Sequence, residues 1–129
     1  MPAKLTSIAP VLIVRDMQAS LKYWRDKVGF DVSRQFGEPV NFAMPNRDGI
    51  TIMLAQSKAE VDVPVPNWRV QDKTNNIYIW VDDAKSLYHE LIERGAIIDY
   101  TMYDTPWGTR EFGIQDLDDR DITFGQVIR

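Results

Sequence analysis

The sequence predicts an α+β fold built from two βαβββ modules in tandem, and three observations predict it. An apolar, strand-like run leading into an amphipathic helix occurs twice along the chain. Leu21 and Gly29 of the first unit recur as Leu87 and Gly95 at one and the same interval. Each half also places a polar turn before its last strand, Asn46-Arg47-Asp48-Gly49 in the first and Asp116 to Arg120 in the second. Self-similarity on this scale marks a repeated half-domain and not a solenoid, whose repeats are shorter and more numerous.

The elements follow in order. Ile8 to Val14 is a short apolar run rich in β-branched residues, which suits a buried strand. Asp16 can cap the helix that follows, because its carboxylate can accept from the free N–H groups of the first turn. Met17, Leu21, Trp24 and Val28 then recur at helical spacing, which puts Trp24 on the apolar face as a core residue. Gly29 tolerates the left-handed geometry of a helix exit. Phe30 to Phe36, Val40 to Met44 and Ile50 to Ala55 read as the remaining strands of this half. The second half replays the order with Asn76 to Val81 as a strand, Asp82-Asp83 as a cap, Leu87 and Leu91 as a helical stripe, and Gly95 as its end. Ala96 to Tyr100, Thr109 to Gln115 and Ile122 to Val127 complete it. Residues 1–56 therefore form the first module and 75–129 the second. Residues 57–74 form a loop between them, stiffened by Pro64 and Pro66 and carrying Trp68.

Composition narrows the function classes. A chain of 129 residues, 44% hydrophobic and 26% charged, can bury a core of its own. The absence of cysteine excludes disulfides and thiolate metal sites. No apolar run approaches the roughly 20 residues that span a bilayer, and the first residues lack the apolar stretch of a secretory signal, so the expected location is the cytoplasm, with no membrane partner. The net charge is −4 and Lys and Arg are scattered, which argues against nucleic acid. A mildly acidic surface suits a cationic small molecule, although the same charge also serves solubility alone.

Three segments carry a family resemblance. Val11 to Asp16, with Ser20-Leu21-Lys22-Tyr23-Trp24 and Gly29-Phe30, resembles the opening strand, helix and exit of the glyoxalase/bleomycin-resistance/dioxygenase (vicinal oxygen chelate) family. Asn76 to Asp83 is similar to the strand and cap that open its second module. Pro106-Trp107-Gly108, Arg110-Glu111-Phe112 and Asp116-Leu117-Asp118-Asp119-Arg120 resemble the "PWG…rEf…DPDGN" stretch of bleomycin-resistance-like members, except that the turn lacks its proline and glycine. The resemblance implies mixed four-stranded sheets forming an open cup, with helices on the outer faces. It also implies a divalent metal held by His or Glu at four inward positions. Those positions fall here on Ala9, Met53 (or Thr51), Asn76 and Thr123, which are poor donors for such an ion. No metal or other cofactor is therefore expected. His89, the only histidine, sits mid-helix and reads as a solvent-facing residue.

Strand alternation then selects what lines the cup. With Asn76 facing inward, Tyr78 and Trp80 follow it, while Ile77, Ile79 and Val81 face the helix. Thr109, Glu111 and Gly113 alternate against Arg110, Phe112 and Ile114, and Ala9, Val11, Ile13, Thr123 and Gly125 join the inner face. The candidate ligand-binding residues are Tyr78, Trp80, Trp107, Glu111, Trp68, Arg69, Asn76 and Phe42, with Tyr100 and Tyr103 in second rank. Aromatic faces hold planar or cationic ligands, and Glu111 could pair a positive group. The same aromatics could instead be core or interface residues. No catalytic residue is assigned. The resemblance implies a homodimer that captures a small molecule, such as a bleomycin-like antibiotic, in the manner of antibiotic-resistance proteins. The alternatives are a metal-dependent lyase or dioxygenase of glyoxalase type, and a dimeric interaction module with no small-molecule ligand.

Overall fold

The structure, a computed structural model, describes residues 2–58 and 61–129. Strand β1 (Val11–Val14) leads through the Asp16 cap into helix α1 (Met17–Asp26). The short strands β2 (Gln35–Phe36), β3 (Phe42–Ala43), β4 (Asn46–Arg47), β5 (Ile50–Thr51) and β6 (Met53–Gln56) complete the first half. Helix α2 (Asn67–Val70) interrupts the connection. The second half runs β7 (Ile77–Trp80), α3 (Ala84–Arg94), β8 (Ile97–Asp104), β9 (Thr109–Gln115) and β10 (Asp121–Val127). One four-stranded sheet has the order β1-β6-β3-β2, the other β7-β10-β9-β8, and β4-β5 is a separate hairpin. In each large sheet the first strand pairs in parallel with the last strand of its half, and the remaining ladders are antiparallel. This is the duplicated α+β arrangement expected from the sequence.

Both caps form as the residue types require. Asp16 accepts from the Ala19 N–H at 3.1 Å and Asp83 from the Ser86 N–H at 3.0 Å, each satisfying a donor that the helix leaves free. Gly95 closes α3 at φ 85°, where a side chain would be strained. Alternation along the strands sends Leu12, Val14, Ile77, Phe112, Ile114, Ile122 and Phe124 into one core with Leu21, Trp24 and Leu91 of the helices. Trp24 is edge-on to Phe30 at 5.0 Å. Burial of each large apolar side chain contributes roughly 1.5–3 kcal/mol, so these residues dominate the driving force. His89 is exposed on α3. Among the described residues no helix is long and apolar enough to cross a membrane.

The expected strand limits are corrected in the first sheet. Phe30 to Phe36 is not one strand: only an Asp31–Asn46 bridge and β2 form. The Asp31 carboxylate accepts from both the N–H and the hydroxyl of Ser33, and this local turn competes with a ladder. Val40 to Met44 shrinks to β3, and Ile50 to Ala55 splits into β5 and β6. In the second sheet β8 is longer than expected, continuing to Asp104 through two register shifts. The inter-module connection is not structureless, because α2 lies within it and Trp68 donates its indole N–H to the Asp119 carbonyl at 2.6 Å.

Two charged clasps join the halves. Arg47 makes a two-pronged bond to Glu90 on α3, at 2.8 and 2.7 Å, and donates to the Val28 carbonyl. Arg94 completes it by donating to Glu90 at 2.8 Å and to the Asp26 carbonyl. At the other end Arg120 is buried between Asp116 and Asp118 and donates to the Ile13 carbonyl of β1, while Arg15 pairs with Asp118 and Asp62.

Candidate functional site

The inner face of the second sheet reads directly from its register. One row crosses the strands as Tyr78, Thr123, Gly113 and Tyr100, and the next as Trp80, Gly125, Glu111 and Tyr103. Aromatic residues stand on the edge strands β7 and β8, and Thr123, Gly125 and Gly113, with Glu111, occupy the central strands. The face is therefore a trough. Rings lean across its floor: a β-carbon at Gly113 would overlap the Tyr100 ring, and one at Gly125 would overlap the Tyr78 hydroxyl. Glycine is required there by close approach and not by backbone conformation.

A cavity of about 600 Å³ occupies one side of this trough, with Tyr100, Tyr103, Trp107, Glu111 and Thr123 among its walls. That volume is in the range of small-molecule sites. Glu111 is only 7% exposed. Its Oε2 accepts from the Tyr78 hydroxyl at 2.6 Å and from the Thr109 hydroxyl at 2.9 Å. Thr109, having given its proton to Glu111, must accept from Thr105 across their 2.7 Å contact, so the chain of hydroxyls points toward the carboxylate. Both donors meet one oxygen. Among the described residues no hydrogen bond is made to Oε1, and Glu111 lines the cavity. Burial pushes the Tyr78 phenol far above its ordinary pKa, and the bond to Glu111 adds to this, so Tyr78 remains a donor. Burial likewise raises Tyr100 to about 12, against the opposing bond to Thr123 at 3.0 Å.

The structure brings some of the expected ligand-binding residues together and separates others. Tyr78 and Trp80 lie side by side on β7, 4.7 Å between ring centres; Tyr78 bonds Glu111, whereas Trp80 lines a different cleft, beside α3. Trp80 is 61% exposed, and Trp107, in the turn after β8, is 69% exposed. Trp68 and Arg69 lie elsewhere: they clasp the β9–β10 turn, with Arg69 5.1 Å from the Trp68 ring and paired to Asp119. Asn76 turns its side-chain oxygen to the Asn67 N–H at 3.1 Å. Phe42 belongs to the first sheet, against Phe36. Sequence reasoning missed Asp99, Asp121 and Lys73, which also line the cavity. Asp121 could have been found by extending the alternation of Thr123 and Gly125 two residues back. Asp99 could not, because a register shift between Ile98 and Tyr100 brings it to the same cavity as its neighbour. A second cleft, of about 400 Å³, lies between the β4–β5 hairpin and α3, but its Arg47, Glu90 and Asp83 are already engaged within the protein.

A duplicated βαβββ fold presenting an aromatic trough defines a class of cup-shaped proteins, and the sequence comparison gives the family. The profile of the Glyoxalase/Bleomycin resistance protein/Dioxygenase superfamily matches residues 4–124, and the chain belongs to that superfamily. No curated protein sequence matches it. Among solved structures, the fold is similar to TioX from Micromonospora sp. ML1, at 18% identity, covering 95% of this chain and 99% of that one, with a TM-score of 0.75. It is also similar to a glyoxalase-related enzyme from Clostridium phytofermentans, at 17% identity, 98% coverage of each chain and a TM-score of 0.73. A third is the bleomycin-binding protein from bleomycin-producing Streptomyces verticillus complexed with copper(II)-bleomycin, at 23% identity, 99% coverage of each and a TM-score of 0.67.

The divalent metal that the superfamily implies does not fit these residues. Ala9 and Met53 offer no hard donor, the Asn76 oxygen is taken by Asn67, and the Thr123 hydroxyl accepts from Tyr100. Among the described residues no group of three or more His, Cys, Asp or Glu is placed to hold an ion.

Proposed function

We propose that the protein is a metal-free binder that sequesters a planar or cationic small molecule, of which a bleomycin-like antibiotic is one example, in the trough of its second sheet. The observation that carries this reading is Glu111, a carboxylate more than nine-tenths buried, steadied by two hydroxyl donors on one oxygen and lining an aromatic cavity. A buried anion held ready in this way is stabilised by a ligand N–H⁺, and the flanking rings add stacking and cation–π attraction of about 0.5–2 kcal/mol each. The solved complex of a structural relative with copper(II)-bleomycin supports the choice of ligand class.

The trough is open on one side, and a second copy of the chain closes it in this reading. Ile13, Ala55, Phe42 and Phe36 form a continuous apolar row on the uncovered face of the first sheet, partners in register across β1, β6, β3 and β2. Such a face suits the trough of a partner subunit, giving a homodimer with mixed walls.

Tryptophan-fluorescence titration with planar cationic compounds, bleomycin included, tests the reading, with elemental analysis alongside. Saturable quenching is expected, weakened about 10–100-fold by Glu111→Gln, because the new amide can satisfy Tyr78 and Thr109 while turning donors toward the ligand. Quenching unchanged in that variant would remove Glu111 from the site. A stoichiometric divalent metal in the purified protein would replace sequestration with an enzyme of glyoxalase type.

A further inference from the structure

We infer that residues 66–76 of the inter-module connection form a latched strap at the cavity, and that Trp68 controls ligand entry and release as a positioning residue, without touching the ligand. The inference rests on the proposed reading of the trough and adds the route by which a ligand passes in and out.

The walls of the cavity are not attached alike. Asp99 and Tyr100 stand on β8, Glu111 on β9, and Asp121 and Thr123 on β10, all strands of one sheet. Trp107 sits in a turn closed by main-chain bonds from Thr105 to Thr109 and from Gly108 to Thr105. Lys73, Thr74 and Asn75 line the same cavity but belong to no helix or strand. Among the described residues no main-chain-to-main-chain hydrogen bond holds residues 72–75. The nearest ones are Gln71 to Asn67 on one side and Asn76 to Asp121 on the other.

Side chains do the fastening instead. Trp68 donates its indole N–H to the Asp119 carbonyl at 2.6 Å, and Arg69 pairs with the Asp119 carboxylate at 3.2 Å. The Asn67 amide donates to the Asn75 carbonyl at 3.0 Å, and the Thr74 hydroxyl to the Gln71 carbonyl at 2.7 Å. Every one of these bonds is exposed to solvent, and no residue from 67 to 76 is buried. A segment with no buried side chain and only exposed bonds opens at a small fraction of the cost of global unfolding. Lys73 is held at φ 61°, a conformation that a lysine keeps only where its surroundings impose it.

The place of the latch gives it a consequence for binding. Asp119 lies in the β9–β10 turn, just before Asp121, and Trp68 therefore ties the unladdered wall to the strand that carries Asp121 and Thr123. Trp68 itself is not one of the cavity walls. A ligand passes when the strap is open and is retained when it is shut. Loosening the latch accordingly speeds entry and exit by the same factor and leaves the equilibrium where it was. A residue that touches the ligand, or one needed only for the fold, would not produce that pair of changes.

Stopped-flow binding of proflavine, a planar cationic dye that reports through its own fluorescence, tests the strap on the full chain. Trp68→Phe keeps a ring for Arg69 and removes the indole donor. Association and dissociation rate constants are both expected to rise about 3–10-fold, the range one lost hydrogen bond supplies, with Kd changed by less than about twofold. Arg69→Ala should move both rates the same way by a smaller factor. In the ligand-free Trp68→Phe chain, the Thr74 and Asn75 amides should exchange faster with solvent in NMR measurements. Unmoved rates, a weaker Kd with unchanged association, or amide exchange at the wild-type rate each overturn the strap. If the dye still binds the wild type in a way that Glu111→Gln weakens, the trough reading survives that loss. If neither proflavine nor bleomycin binds the wild-type chain, both readings fall.

Discussion

At Gly125 the Tyr78 hydroxyl occupies the space where a β-carbon would stand, and the same hydroxyl donates to Glu111. A single methyl would therefore act on the Glu111 carboxylate through a ring. Gly125 has an ordinary backbone conformation, so the cost of Gly125→Ala is one of packing, about 1–3 kcal/mol, readable as a lower midpoint in urea denaturation. Displacing Tyr78 also breaks its bond to Glu111, and the phenol, now better solvated, should titrate closer to its ordinary value in a spectrophotometric titration. A variant that keeps wild-type stability and an unchanged tyrosine titration would show that the hydroxyl does not rest where the register places it. The sequence made Glu111 and Tyr78 visible as neighbours on one face, because alternation along β7 and β9 is a local property. The hydrogen bond between them joins residues from strands that β10 separates, and local pattern cannot measure that diagonal.

The β9–β10 turn behaves as one element with β1. Asp119 takes φ 65° in the turn that resembles a glycine-bearing one in the family, and Asp is among the residues that tolerate it. The Asp116 carboxylate accepts from the Asp118 and Arg120 N–H groups and from the Arg120 side chain, so the turn folds around its own acid. Arg120→Ala leaves the buried Asp116 carboxylate without its cation, while Asp118 keeps Arg15, and is expected to cost about 3 kcal/mol, measured by chemical denaturation. The hairpin β4–β5 and α3 are held by the other clasp. The guanidiniums of Arg47 and then Arg94 hold the Glu90 carboxyl well below its ordinary range, at about 2. A depressed acid adds stability that is complete above its unfolded value and disappears as the pH falls through its folded one. Glu90→Gln should accordingly lower stability by about 1 kcal/mol at neutral pH, a modest figure because the pair is partly exposed. The deficit should shrink below about pH 4 and be gone near pH 2, as denaturation curves across that window would record. A deficit that persists at the acid end would mean that Glu90 acts through packing.

For the whole molecule the question is what covers the uncovered sheet face. Ile13 lies on it, 37% exposed, while its neighbours Leu12 and Val14 point into the core. Ile13→Lys should leave the fold intact, because the long side chain can reach water, and should abolish the proposed dimer in light-scattering measurements. Loss of ligand quenching with the dimer would indicate that the trough needs a partner's sheet. A variant that stays dimeric would place the seam elsewhere.

How much was legible in the sequence follows from which interactions are local. Helix caps at Asp16 and Asp83, the helical stripes, the duplicated order and the in–out alternation of β7, β9 and β10 depend on residues a few positions apart, so the chain declares them. The poor donor set at Ala9, Met53, Asn76 and Thr123 was also readable by residue type. The first sheet was not, since the Asp31 turn and the short β2 and β3 depend on a balance between local bonds and ladder bonds. Only the tertiary structure decided that Trp68, Arg69 and Asn76 serve the inter-module connection, that Asp99 and Asp121 line one cavity, and that both donors to Glu111 meet the same oxygen. Each of these depends on which distant groups meet, and strand pairing with its register shifts settles that only when the whole chain is packed.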